Sequence, residues 1–390
     1  MNVLIVGGGV GGLTAALCLA RCGNKVSIFE QSPVLGEVGA GLQLSPNSTR
    51  VLHDLGLEQA LLQSAFLPEG TQFKQWNNGK VLGESMLGES VVARYGYPYY
   101  HMHRQDVLKV LVNAVEENSS IALYTDLEVL GFTQNDQGVS LITDDAIYQG
   151  DLLIGADGIH SVIRAGLWGE AKPRFTGNIA WRALVPAKRL PAGLVLPMST
   201  VWWGPKKHFV HYYVRRGELV NCVCVVEKKG WEVESWSEQG DYNEFKSDFT
   251  GWHSDIQQLI DHADKGSLFK WALYDREPMA KWGKDRVTLL GDACHPTLPF
   301  MAQGAAMAIE DAAVLAGCLS GGSGISVALT RYEDLRRGRT ASIQRGSRRN
   351  ATVFHLSGVK AWMRNRVLKI ARNRITDGLF NYDALGVSDN

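Results

Sequence analysis

Net charge is missing from this chain: 40 Lys and Arg balance 40 Asp and Glu over 390 residues. A general binder of nucleic acid or other polyanions would carry a basic excess, so that class is set aside. Also missing is any run of about 18 apolar residues free of glycine and charge, which a bilayer-spanning helix would need. Cysteine is sparse. The six present (Cys18, Cys22, Cys222, Cys224, Cys294, Cys318) form neither zinc-type pairs nor a dense disulfide framework. Reduced thiols, no metal and a cytoplasmic setting are therefore expected. The apolar start from Val3 to Ala20 has no basic residue ahead of it and carries regularly spaced glycines, so it reads as folded structure rather than a secretory leader. Internal repeats and low-complexity tracts are lacking too.

What is there suits an ordinary globular protein: 45% hydrophobic and 21% charged residues, in a chain long enough for two domains. The zero charge hides an asymmetry. From Arg331 to Arg374 there are 13 basic residues and two acids, a local +11 that the remainder must offset.

Val3–Val6 reads as a buried parallel strand, Leu13–Arg21 as a helix and Lys25–Glu30 as the next strand, together one βαβ unit. A single helix is expected over Ser45–Leu62. From Gly70 to Tyr100 the pattern changes to short aromatic strands, Thr71–Trp76 and Lys80–Leu82. Gln105–Asn118 returns to helix and Ile121–Tyr124 to strand. Residues 173–282 read as an aromatic-rich strand region, including Val201–Trp203, Phe209–Val214 and Glu218–Val226, with a tight turn at Arg215–Gly217. Arg286–Leu290 is a parallel-type strand, followed by a helix over Ala305–Leu319. Leu329 to about Leu356 and Val359–Ile375 read as basic helices.

The expected fold is α/β. A discontinuous Rossmann-like domain would use 1–70, 101–172 and 283–330, and an inserted antiparallel sheet domain would use 71–100 and 173–282. A C-terminal helical region would cover 331–390. Its basic face is expected to pack on the acidic remainder or on a second subunit, giving a homodimer. A membrane-surface helix is the weaker alternative for Val359–Ile375, and no feature supports nucleic acid.

Three separated segments end apolar runs in a Gly/Asp turn: Val3–Leu13, Asp151–Gly158 and Arg286–Pro296. In the first, Gly7-x-Gly9-x-x-Gly12 follows a strand and opens a helix. Gly7 permits the tight turn, Gly9 lets a pyrophosphate approach, and Gly12 allows close helix–strand packing, with Gly11 alongside. Glu30, with Gln31 beside it, is placed to accept from a ribose hydroxyl and would repel a 2′-phosphate, which suits FAD or NAD. The other two segments separate these. Asp292 ends a strand just before the helix start at Gly304–Ala305, where a carboxylate suits a ribityl hydroxyl. That helix start would stabilise negative charge on a reduced flavin. The plain alternatives are a helix cap for Asp292 and an Asp-Gly turn for Asp157.

With these segments, the middle one extended to Asp151–Arg164, the stretches Glu37–Gln43, His103–Asp106, Ala302–Gly304 and Glu310–Ala312 carry a specific resemblance. From residue 1 to about 340 the chain resembles the class A flavoprotein aromatic hydroxylases, the group containing salicylate hydroxylase, 3-hydroxybenzoate 6-hydroxylase and 6-hydroxynicotinate 3-monooxygenase. The resemblance implies that Glu30 binds the adenosine ribose, Arg104 the pyrophosphate region and Asp292 the ribityl chain. Asp157 would serve both FAD and transient NAD(P)H docking, while Gly39–Gln43 and Pro299–Ala305 would flank the isoalloxazine. It also implies the cycle: NADH or NADPH reduces FAD, O₂ adds at flavin C4a as a hydroperoxide, and one oxygen passes to a phenol-type ring. Decarboxylation would follow if oxygen entered at the carboxyl-bearing carbon.

On the strand Lys207–Val214, alternation puts His208, Val210 and Tyr212 on one face, His211 and Tyr213 on the other. Related hydroxylases place a His and a Tyr in this spacing over the substrate. His208 is therefore expected as phenol base and Tyr212 as orienter, with Gln43 and Pro299 also at the substrate. His101, His103 and His295 read as structural. Gln43 stands where 6-hydroxynicotinate enzymes carry His, and Pro299 departs from the 3-hydroxybenzoate enzymes, so the chain lies between the two. The alternatives are a flavin oxidase or dehydrogenase that inserts no oxygen, and a non-catalytic FAD-binding redox sensor.

Overall fold

The computed structural model describes residues 1–36, 41–228, 230–231, 238–370 and 377–387. The expected buried strand spans Asn2–Val6 and is covered along Val3–Val6, as strands enclosed on both faces are. It pairs in parallel with Lys25–Phe29 on one side and Leu152–Gly155 on the other. Across the five-stranded parallel sheet the order is Val287–Leu289, Leu152–Gly155, Asn2–Val6, Lys25–Phe29, Ile121–Tyr124. Strands that lie far apart in the chain are thus neighbours. Their three Gly/Asp turns emerge side by side at the carboxyl edge, where open α/β sheets bind ligands.

The helix Val10–Arg21 lies close to Gly304–Ser320, and Gly11 makes that approach feasible. A Cβ there would sit 2.7 Å from Leu290 Cδ2 and 3.1 Å from Ala308 Cβ.

A second, seven-stranded sheet runs Phe269–Asp275, Arg174–Pro186, Leu219–Glu227, Lys207–Val214, Met198–Gly204, Gly70–Gln75, Val81–Met86. It is antiparallel except where Met198–Gly204 runs parallel to Gly70–Gln75. One face buries Trp181, Trp202 and Phe209 against Phe245 and Ile256 of the covering helices Tyr242–Asp248 and Ser254–Asp261, with Phe249 just after the first. Full burial of each large side chain is worth about 2–3 kcal/mol. The opposite face meets the turn before the Gly304 helix, where Leu298 and Phe300 cluster with Ala180, Val225, Trp271 and Leu273. Smaller sheets are Gly41–Leu44 with Tyr100–His103, and the three strands Val129–Gln134, Val139–Thr143 and Ile147–Gly150.

Several elements differ from expectation. Ser45–Leu62 is two helices, Pro46–Asp54 and Glu58–Leu62, because Gly56 takes φ +79 between them. The stretch before Tyr100 contains a helix, Gly88–Tyr95, capped by Gly96 in the left-handed region. In 173–282, aromatic density concealed the helices Tyr242–Asp248 and Ser254–Asp261. The Arg215–Gly217 turn is present, with positive φ at all three residues.

The basic C-terminal region begins as one long helix, Ile325–Phe354, and continues as Gly358–Ile370; residues 371–375 of the expected helix lie outside the described residues. Its arginines meet acids of the preceding chain: Arg339 reaches Glu310, and Arg348 reaches Asp275 and Glu277. Val359, Trp362 and Met363 of the second helix are exposed. No described helix is long and apolar enough to cross a membrane.

Candidate functional site

The site is built first from backbone. Gly7 takes φ +107, and a Cβ there would fall 2.3 Å from Ala156 O, so the turn between strand and helix demands glycine. A Cβ on Gly12 would sit 2.0 Å from Gly7 O, which holds the helix tight against the strand end. Gly9 differs: nothing lies within 4 Å of a Cβ built there. It caps the Val10–Arg21 helix without a side-chain partner, leaving the first-turn N–H groups facing open space. Glu30 is pinned beside this turn. Its Oε2 accepts from Gly8 N–H at 2.7 Å and its Oε1 from Ser32 N–H at 2.8 Å. Gln31 next to it is exposed, and Arg104 is half-buried at the head of the helix Arg104–Glu116.

Asp157 follows the central strand Leu152–Gly155. Its Oδ2 accepts from Ile163 N–H at 3.1 Å at the start of the helix Val162–Trp168. Its Oδ1 is buried without a hydrogen-bond partner. Burial raises its pKa, against the hydrogen bonds from Ser161 and Ile163. Ser161 caps that helix, its Oγ accepting from Arg164 N–H at 2.9 Å, and Asp157 steadies the first turn with one oxygen while the other is left over for a bound group. Asp292 is exposed in the short turn Gly291–Ala293 after Val287–Leu289. Arg164 joins the two turns, donating to Ala293 O and to Ile159 O, each at 2.7 Å. Burial lowers its pKa to about 10.

Behind the Asp292 turn lies a dry charged network. His295 Nε2 meets Asp311 Oδ2 at 2.5 Å, and Arg336 spans Asp311 at 2.7 Å and Glu310 at 2.6 Å. Asn47 donates to Glu310 at 2.6 Å and to Gln303 at 3.1 Å, and Gln303 donates to Ser45 Oγ at 2.9 Å. This chain staples the turn Pro299–Gln303 to the segment after Gln43. At its end Ala302 is held at φ +51, and Gly304 and Ala305 open their helix partly exposed and without a side-chain cap. His295 is structural, as expected. Pro299 is exposed on the rim, while Glu37, Val38, Gly39 and Ala40 lie outside the described residues.

The residues of the cradle fit a dinucleotide. A side-chain-free gap at Gly9, an uncapped helix start, a fixed carboxylate at Glu30 and an unused oxygen at Asp157 converge at neighbouring strand ends.

Facing the turn, His208, Val210 and Tyr212 share one face of Lys207–Val214, while Phe209, His211 and Tyr213 pack on the other side. His208 and Tyr212 are buried, about 13 Å apart along the strand. Tyr212 belongs to a polar group. Its hydroxyl and the Asn221 amide both lie against Gly41, and burial drives its pKa upward. Gln43 is held from both ends: Tyr99 Oη donates to its Oε1 at 2.6 Å, and its Nε2 donates to Ser199 Oγ at 3.4 Å. His101 stacks 4.5 Å from Tyr212 with neither ring nitrogen hydrogen-bonded, and burial lowers its pKa to about 3, so it is neutral. His208 sits among rings, 5.1 Å from Phe300 and 5.3 Å from Phe354. Its Nδ1 lies 2.9 Å from His355 Nε2. Sequence reasoning missed His355, Tyr99, Ser199 and Asn221, and gave Arg164 no role, because each meets its partner only across a fold.

A family model described as FAD binding domain matches residues 1–347. The chain is 38% identical over 396 residues to 3-amino-4-hydroxybenzoate 2-monooxygenase PtnB3 of Streptomyces platensis, covering 99% of this chain and 97% of that one. It is 36% identical over 372 residues to 3-hydroxybenzoate 6-hydroxylase of Klebsiella oxytoca, covering 95% and 92%. Among solved structures, Klebsiella pneumoniae HpxO complexed with FAD and uric acid matches with a TM-score of 0.87 at 24% identity, covering 100% and 97%. At that identity the likeness speaks for the fold.

Proposed function

This chain belongs to the FAD-binding-domain family, as an FAD-dependent aromatic monooxygenase with NAD(P)H and O₂ as co-substrates, and from that premise we propose that its substrate is a small benzoate carrying a ring hydroxyl. The ring would lie over Val210, its carboxylate at the Tyr212 end and its hydroxyl toward His208. When bound, FAD supplies the electron transfer from NAD(P)H and the activation of O₂.

The observation carrying this reading is the division of one strand face into a polar end and an apolar end. Tyr212 remains protonated because burial disfavours its phenolate, so it donates to a carboxylate. Gln43, fixed by Tyr99 and Ser199, keeps that end in register. Phe300, Phe354 and Trp203 surround the His208 end and exclude water from the reacting carbon. His208 accepts the hydroxyl proton, which makes the ring electron-rich where oxygen must enter. Glu30 would hold the adenosine ribose, Arg104 the pyrophosphate region and Asp292 the ribityl chain.

The test is an aromatic-acid panel including 3-hydroxybenzoate and 3-amino-4-hydroxybenzoate, run with ¹⁸O₂ on yellow, FAD-loaded protein. One ¹⁸O atom in a hydroxylated benzoate is expected, together with substrate-stimulated NAD(P)H oxidation. Product without ¹⁸O would mark an oxidase, and a flat panel would remove the benzoate reading.

A further inference from the structure

The Ile325–Phe354 helix ends against His208, and its cap residue is another histidine. His355 Nε2 lies 2.9 Å from His208 Nδ1, and His355 Nδ1 lies 2.9 Å from Glu227 Oε1 at the end of Leu219–Glu227. Both imidazoles are buried, whereas the Glu227 side chain is 43% exposed. Resting on the proposed role of His208, we propose that His355 and Glu227 form a proton relay that carries the substrate's hydroxyl proton from His208 to solvent.

The direction follows from what each group is able to do. A carboxylate only accepts, so His355 must carry its proton on Nδ1 and present a lone pair at Nε2. His208 must then donate from Nδ1, which leaves Nε2 as the acceptor. One glutamate thereby selects the basic tautomer of a histidine two groups away. In the transfer, the hydroxyl O–H bond breaks as His208 Nε2–H forms. The His208 Nδ1 proton passes to His355 Nε2, the His355 Nδ1 proton passes to Glu227, and Glu227 releases it to water. The net change is one phenolate in the site, one proton in solvent and both imidazoles in the opposite tautomer, which revert when a proton returns along the same path.

Burial, with the neighbouring His355, lowers the His208 pKa well below its ordinary value, so an imidazolium would be costly there. A relay avoids it, because His208 gives up its Nδ1 proton as it takes the substrate's on Nε2 and stays neutral. Burial lowers the His355 pKa as well, although Glu227 acts in the opposite direction. The charged groups on the elements packed around the pair include Glu227, Lys206 just before the His208 strand, Lys207 at its head, which donates to Asp248 O, and Arg364. Lys206 gives its backbone N–H to His355 O, and Arg364 donates to the Val353 and Phe354 carbonyls.

The experiment has two arms on FAD-loaded protein. ¹⁵N NMR of the histidine rings, without substrate, is expected to show Nδ1–H tautomers for His208 and His355, and Glu227→Gln is expected to disturb both. A proton on His208 Nε2 in the wild type would overturn the relay whatever the substrate is. The second arm follows, by stopped-flow, the rate at which phenolate absorbance of bound 3-hydroxybenzoate or 3-amino-4-hydroxybenzoate appears after a pH jump. Glu227→Gln and His355→Gln are expected to slow it at least about tenfold, a barrier higher by about 1.4 kcal/mol, with Glu227→Asp restoring part of it. Identical rates would overturn the relay and leave the benzoate reading intact. No ionisable binding in the wild type would remove that reading instead, with the ring tautomers still deciding the relay.

Discussion

Replacing Arg336 with Met removes the guanidinium shared by two wholly buried carboxylates behind the Asp292 turn. Arg336 Nε donates to Asp311 at 2.7 Å and Nη2 lies 2.6 Å from Glu310, with all three side chains at 0% exposure. Each acid keeps other partners: His295 and the Gly291 N–H for Asp311, Arg339 and Asn47 for Glu310. The variant leaves two adjacent acids short of one cation, and a loss of about 3–5 kcal/mol is expected, the scale of stripping one partner from a buried pair. In the FAD-loaded protein that corresponds to a fall of about 5–10 °C in melting midpoint. Arg336→Lys keeps a charge without the two-pronged geometry and is expected in between.

The pH dependence supplies a second handle on the same network. Burial opposes ionisation of Asp311, but His295 and Arg336 outweigh it and push its pKa down to about 2. A folded pKa below the unfolded value means stability that is complete above about pH 4 and is lost as pH falls toward 2. A displacement of about two units is worth about 2–3 kcal/mol, part of it owed to Arg336. The difference in denaturation midpoint between wild type and variant is therefore expected to shrink from about pH 5 toward pH 3. A difference independent of pH, or a variant melting within about 1 °C of wild type, would refute the reasoning.

Gly9→Ala and Gly12→Ala separate binding from folding. The first has open space for its Cβ, so apoprotein stability should stay within about 0.5 kcal/mol while FAD affinity falls at least about tenfold, read by flavin fluorescence titration. The second drives a Cβ to 2.0 Å from Gly7 O and is expected to cost about 2–3 kcal/mol in apoprotein stability as well. His208→Ala should retain bound FAD but uncouple NAD(P)H oxidation from hydroxylation; unchanged product yield per NAD(P)H would remove His208 from the mechanism. Tyr212→Phe removes the hydroxyl proposed to meet the carboxylate and should raise KM for the aromatic acid about tenfold with little change in kcat. An unaltered KM would place the carboxylate elsewhere.

The nucleotide cradle was legible because its demands are local. Gly7 and Gly12 answer to backbone a few residues away, and Glu30 closes the strand next to the turn it pins. The two faces of Lys207–Val214 were legible for the same reason, since alternation needs only neighbours. Asp292, Gly304 and Ala305 were readable as a strand end and a helix start, but not the network behind them. The helices Tyr242–Asp248 and Ser254–Asp261 escaped because they are short and lie within an aromatic-rich strand region, and the placing of Phe245 and Ile256 makes sense only against Trp181 and Phe209 on the sheet they cover. The Ser45–Leu62 break escaped because the apolar spacing continues through Gly56 although the backbone does not.

By itself the sequence determined the βαβ start, the glycines of its tight turn, and which residues of one strand share a face, because each is set by spacing along a short stretch of chain. Only the tertiary structure decided that His355 meets His208 across 147 residues, that Arg164 locks two turns across 129, and that Asn47 reaches Glu310 across 263. Those contacts depend on which surfaces pack once the sheets are assembled, and no local periodicity records that choice.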